Sequence, residues 1–159
     1  EGLDGYVEFS GPDIVTTLGF YRETDNTVAY TTPGAFPTVV LGTTTLVALA
    51  ALANVELDPT RGSIIYSAAD CANVRAAGIS ADVESGDAGT IAVYVEGGMP
   101  SAELTATTAD GQGGLLNVPV GATKVHAYWA ETGDEIGVQD VIVRAGAVSA
   151  TLLVPTPLW

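Results

Sequence analysis

Lysine and arginine are scarce in this chain: 5 against 19 aspartates and glutamates over 159 residues, a formal charge of −14. Binding to nucleic acid needs cationic side chains that displace counterions from phosphates. This chain would repel that backbone, and anionic membrane surfaces for the same reason. Histidine and cysteine occur once each, as His126 and Cys71. One histidine cannot build a usual zinc site, and one cysteine cannot pair within its own chain. There is no G-x-S-x-G elbow, no H-E-x-x-H and no P-loop. No apolar run reaches the roughly eighteen residues of a membrane-spanning helix; Leu46 to Ala53 is too short. No basic leader segment is visible. The start at Glu1 reads as a processed chain or an excised one.

What remains is plentiful in small and apolar residues. Hydrophobic residues make up 47% of the chain, only 15% are charged, and there are 19 glycines. That is enough apolar surface for one core, and too much for a disordered segment. Cys71 reads as a small buried hydrophobe rather than a reactive thiol; a pair with His126, the only histidine and itself in a strand-like segment, is geometrically conceivable, but nothing in the local sequence asks for it.

The chain divides at the turn Asp58-Pro59-Thr60-Arg61-Gly62. Residues 1–61 read as an N-terminal annex packed on the larger C-terminal part of the chain. Tyr6 to Ser10 alternates as a half-buried strand, a second extended segment runs from Ile14 to Tyr21, and residues 22–37 read as an irregular loop. Thr43 to Asn54 is the one helix. A threonine among Thr43, Thr44 and Thr45 caps its start, Leu46, Leu49, Ala50 and Ala53 share one face, and Leu52 broadens it. Asn54 is the exit.

After Gly62 the pattern becomes strand and turn. Extended segments fall at 63–68, 79–83, 90–95, 102–108, 115–118, 123–129, 139–144 and 148–154, with Gly97-Gly98-Met99-Pro100 as a break. About seven short strands at this spacing predict a two-sheet sandwich lined by alternate valines, isoleucines and leucines. Residues 156–159 form a tail.

The same stretch resembles a known family. Leu115-Leu116-Asn117-Val118-Pro119-Val120-Gly121 through Val125-His126-Ala127 is similar to the F-x-N-V-P-x-G-x-x-x-V-x-A run of carboxypeptidase regulatory-like domains. Thr107 to Gly111, Cys71 to Ile79 and Val141 to Val148 match further blocks in order, covering about residues 62–155. The resemblance implies an all-β, transthyretin-like (prealbumin-like) Greek-key β-sandwich. It also implies a non-catalytic accessory module, found on enzymes, bacterial surfaces or secreted proteins.

Three functions are weighed on the residues. The favoured one is a structural or protein-interaction module of a secreted or cell-surface bacterial protein, able to self-associate. The rivals are a carbohydrate-binding module and a small acidic hydrolase, the latter needing two carboxylates across a cleft. Asp82, Glu84, Asp87 and Asp110 are hard oxygen ligands that could hold calcium; the plain alternative is a solvated face. Asp134 and Glu135 are a weaker second group. Tyr128 and Trp129, being adjacent on a strand, point to opposite faces. An exposed member could stack on a sugar; the plain alternative has Trp129 filling the sandwich and Tyr128 at its rim. Tyr21, Tyr30 and Phe36 in the annex are candidate partner contacts.

Overall fold

The computed structural model describes residues 5–20, 40–72 and 74–155. Ten strands and one helix follow in order: β1 (Tyr6–Gly11), β2 (Ile14–Phe20), α1 (Thr43–Leu52), β3 (Gly62–Ala68), β4 (Ile79–Val83), β5 (Ile91–Glu96), β6 (Met99–Ser101), β7 (Gln112–Val118), β8 (Gly121–Trp129), β9 (Asp134–Val143) and β10 (Val148–Leu153). They build an all-β domain of two sheets with one short helix. The larger sheet runs β1-β2-β10-β3-β7-β5-β6, and the smaller runs β4-β8-β9. β10 is parallel to both β2 and β3, while every other pairing is antiparallel.

Alternation along the strands decides what goes between the sheets. Leu18, Ile64, Tyr66, Tyr94 and Leu115 of the large sheet meet Ile79, Ala81, Val83, Val125, Ala127, Val141 and Val143 of the small one. Fully burying each branched aliphatic side chain among these stabilises the fold by about 1.5–3 kcal/mol. The opposite face of the large sheet is covered by α1: Ala50, Ala53 and Val55 pack on Val93 and Leu116, and Leu46 packs on Val15 and Val148. The large sheet is therefore the middle layer of three.

The annex strands lie within this sheet. β2 pairs with β10 and β1 closes the edge, so the described part of residues 1–61 shares one backbone ladder with the rest. Arg144, just after β9 of the small sheet, fastens β1 with a 2.8 Å ion pair to Glu8, a hydrogen bond to the Tyr6 hydroxyl and its guanidinium 5.3 Å from the Tyr6 ring centre.

Several expectations need correction. Cys71 is exposed, because Asp70 accepts the Ala72 and Val74 N–H groups at 2.9 Å each and turns the chain outward there. The helix has Gly42 at its N-cap and no threonine side-chain cap; the Gly42 carbonyl accepts the Leu46 N–H instead. Leu52 does not widen the buried face but is 56% exposed. Asn54 does end the helix, at a φ of 59°.

Met99 and Pro100, expected as a break, begin β6. Gly97 and Gly98, with φ of 59° and 80°, form the tight two-residue hairpin that returns β6 along β5. Residues 102–108 form no strand. There Thr107 holds Ile79 N–H and the Ala76 carbonyl, and Thr108 holds the Val95 carbonyl, through their side chains. The loop 22–37 with Tyr21, Tyr30 and Phe36, and the tail 156–159, lie outside the described residues.

Candidate functional site

The outer face of the small sheet and the open flank of β4 bring together most of the polar side chains picked out in the sequence. Residues 80 and 82 of β4 pair with 128 and 126 of β8, and 135 of β9 pairs with 128. With a period of two, Asp82, His126 and Tyr128 share the outward face. Glu84 joins them just past the end of β4, its N–H bonded to the Lys124 carbonyl.

His126 sits between two carboxylates. Its Nδ1 is 2.7 Å from Glu135 Oε2, and its Nε2 is 3.3 Å from Glu84 Oε1. The hydrogen bond to Glu135, helped by that to Glu84, raises the imidazole pKa above its ordinary value against the opposing effect of partial burial. Protonated, the ring donates to both acids and ties β4 through β8 to β9. Tyr128 stacks beside it, ring centres 6.2 Å apart, and its hydroxyl donates to Asp82 at 3.4 Å. Burial, and then the Asp82 charge, push the Tyr128 phenol up.

Along the free flank of β4 lies a groove of about 530 Å³. Asp82 and Glu84 stand on its rim with His126 and Tyr128, Asp87 at its end, and Ala92 and Leu115 in its floor. Asp87 is already occupied. Arg61 grips it with two parallel hydrogen bonds of 2.7 and 2.8 Å, which, with the Gly89 N–H, lower its pKa to about 2.

The candidate calcium ligands are thus only partly gathered. Asp82 and Glu84 lie together, Asp87 is committed to Arg61, and the Asp110 carboxylate is elsewhere, accepting the Gly98 N–H at 3.1 Å. Asp134 accepts from the Thr132 hydroxyl in its own turn. Among the described residues, no group of three or more His, Cys, Asp or Glu is placed to hold a metal ion. His126 contacts acids and Tyr128, whereas Cys71 lies on the turn between β3 and β4.

Tyr128 and Trp129 do point to opposite sides of β8, so they form no joint platform. Trp129 is in phase with the buried Thr123, Val125 and Ala127, yet it is 41% exposed rather than filling the sandwich. It is the last residue of its strand, beyond the layer it would have packed against.

No family model matches this chain. No curated protein matches it either. A comparison with solved structures finds a likeness to a streptococcal ancillary pilin, with a TM-score of 0.38 and 15% identity, over 94% of this chain and 44% of that one. The chain therefore spans less than half the length of that pilin.

Arg61 and Asn117, which no motif marks as functional, hold the groove's end in place. Arg61, besides Asp87, donates to the Asn117 carbonyl at 2.9 Å and lies 3.6 Å from Asp58. Asn117, at a φ of 56°, accepts the Asp58 N–H and donates to the Glu56 carbonyl. The signal for Arg61 was its rarity: one of 5 basic residues, set inside an acidic turn.

Proposed function

We propose that this chain is a non-catalytic structural and interaction module of a secreted or surface-displayed bacterial protein, and that it self-associates through the edges of its sheets. The observation that carries this reading is the state of those edges. The two sheets end in β1, β6, β4 and β9. An edge strand presents unpaired N–H and C=O groups, and natural edges are commonly guarded by lysine. None of these four strands holds a lysine or an arginine, and the chain's single lysine, Lys124, sits on the central strand β8. β6 is guarded by its three-residue length and Pro100, and β1 and the β8–β9 pairing carry register shifts. β4 is covered by the Thr107 loop only at Ile79 and by the Gly86 turn at the Val83 carbonyl, which leaves its middle, at Asp82, the least guarded stretch. The blocks similar to carboxypeptidase regulatory-like domains, a family of accessory sandwiches, support the same reading and the extracellular setting.

A charge of −14 opposes the approach of two copies, and salt screens that repulsion. Self-association is therefore expected to strengthen as ionic strength rises, and with calcium. Sedimentation velocity at low and high salt, with and without chelator, tests this. A monomer under every condition overturns the self-association.

A further inference from the structure

The free flank of β4 has a chemistry of its own, and the inference drawn from it rests on the interaction-module reading. In an antiparallel pair, successive residues direct their backbone groups alternately toward and away from the partner strand. The Glu84 N–H bonds to the Lys124 carbonyl, and the Ala130 N–H bonds to the Gly78 carbonyl. That parity turns Ile79, Ala81 and Val83 away from β8. Ile79 is taken: its carbonyl accepts the Thr107 N–H at 2.8 Å, and its N–H donates to the Thr107 hydroxyl at 3.0 Å. The Ala81 N–H meets only the Tyr94 hydroxyl, at 3.4 Å, and the Val83 carbonyl takes the Gly86 N–H at 2.8 Å.

The Ala81 carbonyl and the Val83 N–H are left, one on each side of Asp82. Among the described residues neither has a hydrogen-bond partner. Both belong to residues lining the groove of about 530 Å³. One acceptor and one donor, flanking a single residue, are the pair that an added strand closes with one N–H and one C=O. The backbone groups give the extended form of the occupant.

The walls give its charge. Asp82 and Glu84 stand on the rim, while Ala92 and Leu115 offer an apolar floor for a short side chain. At the groove's end Arg61 shows how a cationic side chain seats there, bidentate on Asp87. Among the residues lining the groove the one basic side chain is His126, and it is held between Glu84 and Glu135. With a molecular charge of −14, a cationic segment is also drawn in from a distance.

We propose that the groove along β4 receives an extended, lysine- or arginine-bearing segment of a partner protein, which adds to β4 beside Asp82 as an extra strand.

The test uses the full chain and a labelled peptide of alternating lysine and valine. Comparators are its glutamate–valine counterpart and a version N-methylated along the backbone. Binding is read by fluorescence anisotropy and mapped by amide chemical shifts. The lysine peptide is expected to bind, to shift the amides of Ala81 to Glu84, and to slow exchange of the Val83 amide. Asp82→Asn with Glu84→Gln, checked for an unchanged melting curve, is expected to weaken it about tenfold. The glutamate and N-methylated peptides are expected not to bind. Shifts spread evenly over the acidic surface, or N-methylated peptide binding equally well, would overturn the proposal by showing plain charge attraction. Absence of any peptide binding overturns it too. A chain that still self-associates in the centrifuge would then keep the module reading while losing this groove.

Discussion

Gly113 lies in β7 directly opposite Tyr66 of β3 on one side and Tyr94 of β5 on the other. Both phenols are buried in the core, and the Tyr66 ring occupies the space over the glycine: a Cβ there would fall 2.6 Å from Tyr66 Cζ. Gly113→Ala is therefore expected to destabilise the fold by about 1–3 kcal/mol, the usual range for overpacking a tight core. Urea denaturation measures it, and a loss of only a few tenths would mean the ring relaxes freely. The Tyr66 hydroxyl is buried with no hydrogen-bond partner among the described residues. Burial, and then the nearby Tyr94, push its ionisation well above the ordinary phenol range. Tyr66→Phe removes an oxygen that gains nothing in the folded state, so stability should hold or rise slightly. Paired with Gly113→Ala it should recover part of the loss, because the hydroxyl oxygen is one of the atoms the new methyl would strike.

At the scale of elements, the small sheet is held on its outer face by His126 as well as by its ladders. The ring faces Glu84 and Asp82 from the β4 side, Glu135 from β9, and Tyr128 on its own strand. Its pKa is higher folded than unfolded, so its contribution is complete below about pH 6.5 and fades as pH rises through the folded value. Stability of the native chain should fall across that alkaline window relative to His126→Gln, whose curve stays flatter; parallel curves would show that the bridge adds nothing. The strands were legible where alternation runs for five residues or more, as in Ile79–Val83 and Ile91–Glu96. The helix was legible from Leu46, Ala50 and Ala53. β6 was not, since three residues carry no period and the two glycines before it read as a break. Residues 102–108 alternate like a strand, but Thr107 and Thr108 satisfy neighbouring backbone with side chains and leave no ladder. Parallel pairing of β2 with β10 joins residues about 130 positions apart, a distance over which local sequence pattern is silent. The polar cluster was half legible: Asp82 and Glu84 could be seen to share a face. Which strand lay beside them, and so their meeting with His126 and Tyr128, could not.

Across the whole molecule, positive charge is rare, and among the described residues Arg61, Arg75 and Arg144 each have a traceable job. Arg61 stands where the layers converge at one end. It reaches Asp87 in the loop between β4 and β5, the Asn117 carbonyl at the end of β7, and Asp58 ahead of β3, while its own carbonyl accepts the Gly146 N–H before β10. Asp87 is lowered to about 2 chiefly by the Arg61 hydrogen bonds, then by the Gly89 N–H. A carboxylate depressed on folding adds stability above its unfolded pKa of about 3.9, and that stability is lost as pH falls toward the folded value. Below about pH 4 the Asp87 contribution drains away and the melting temperature should drop. Arg61→Met keeps the stem's packing but removes the guanidinium, so it should lower the melting temperature at neutral pH and flatten the fall between about pH 4 and pH 2. If the variant melts with the same acid profile as the native chain, displaced only by a constant, then Arg61 acts through its packing and its grip on Asp87 is incidental.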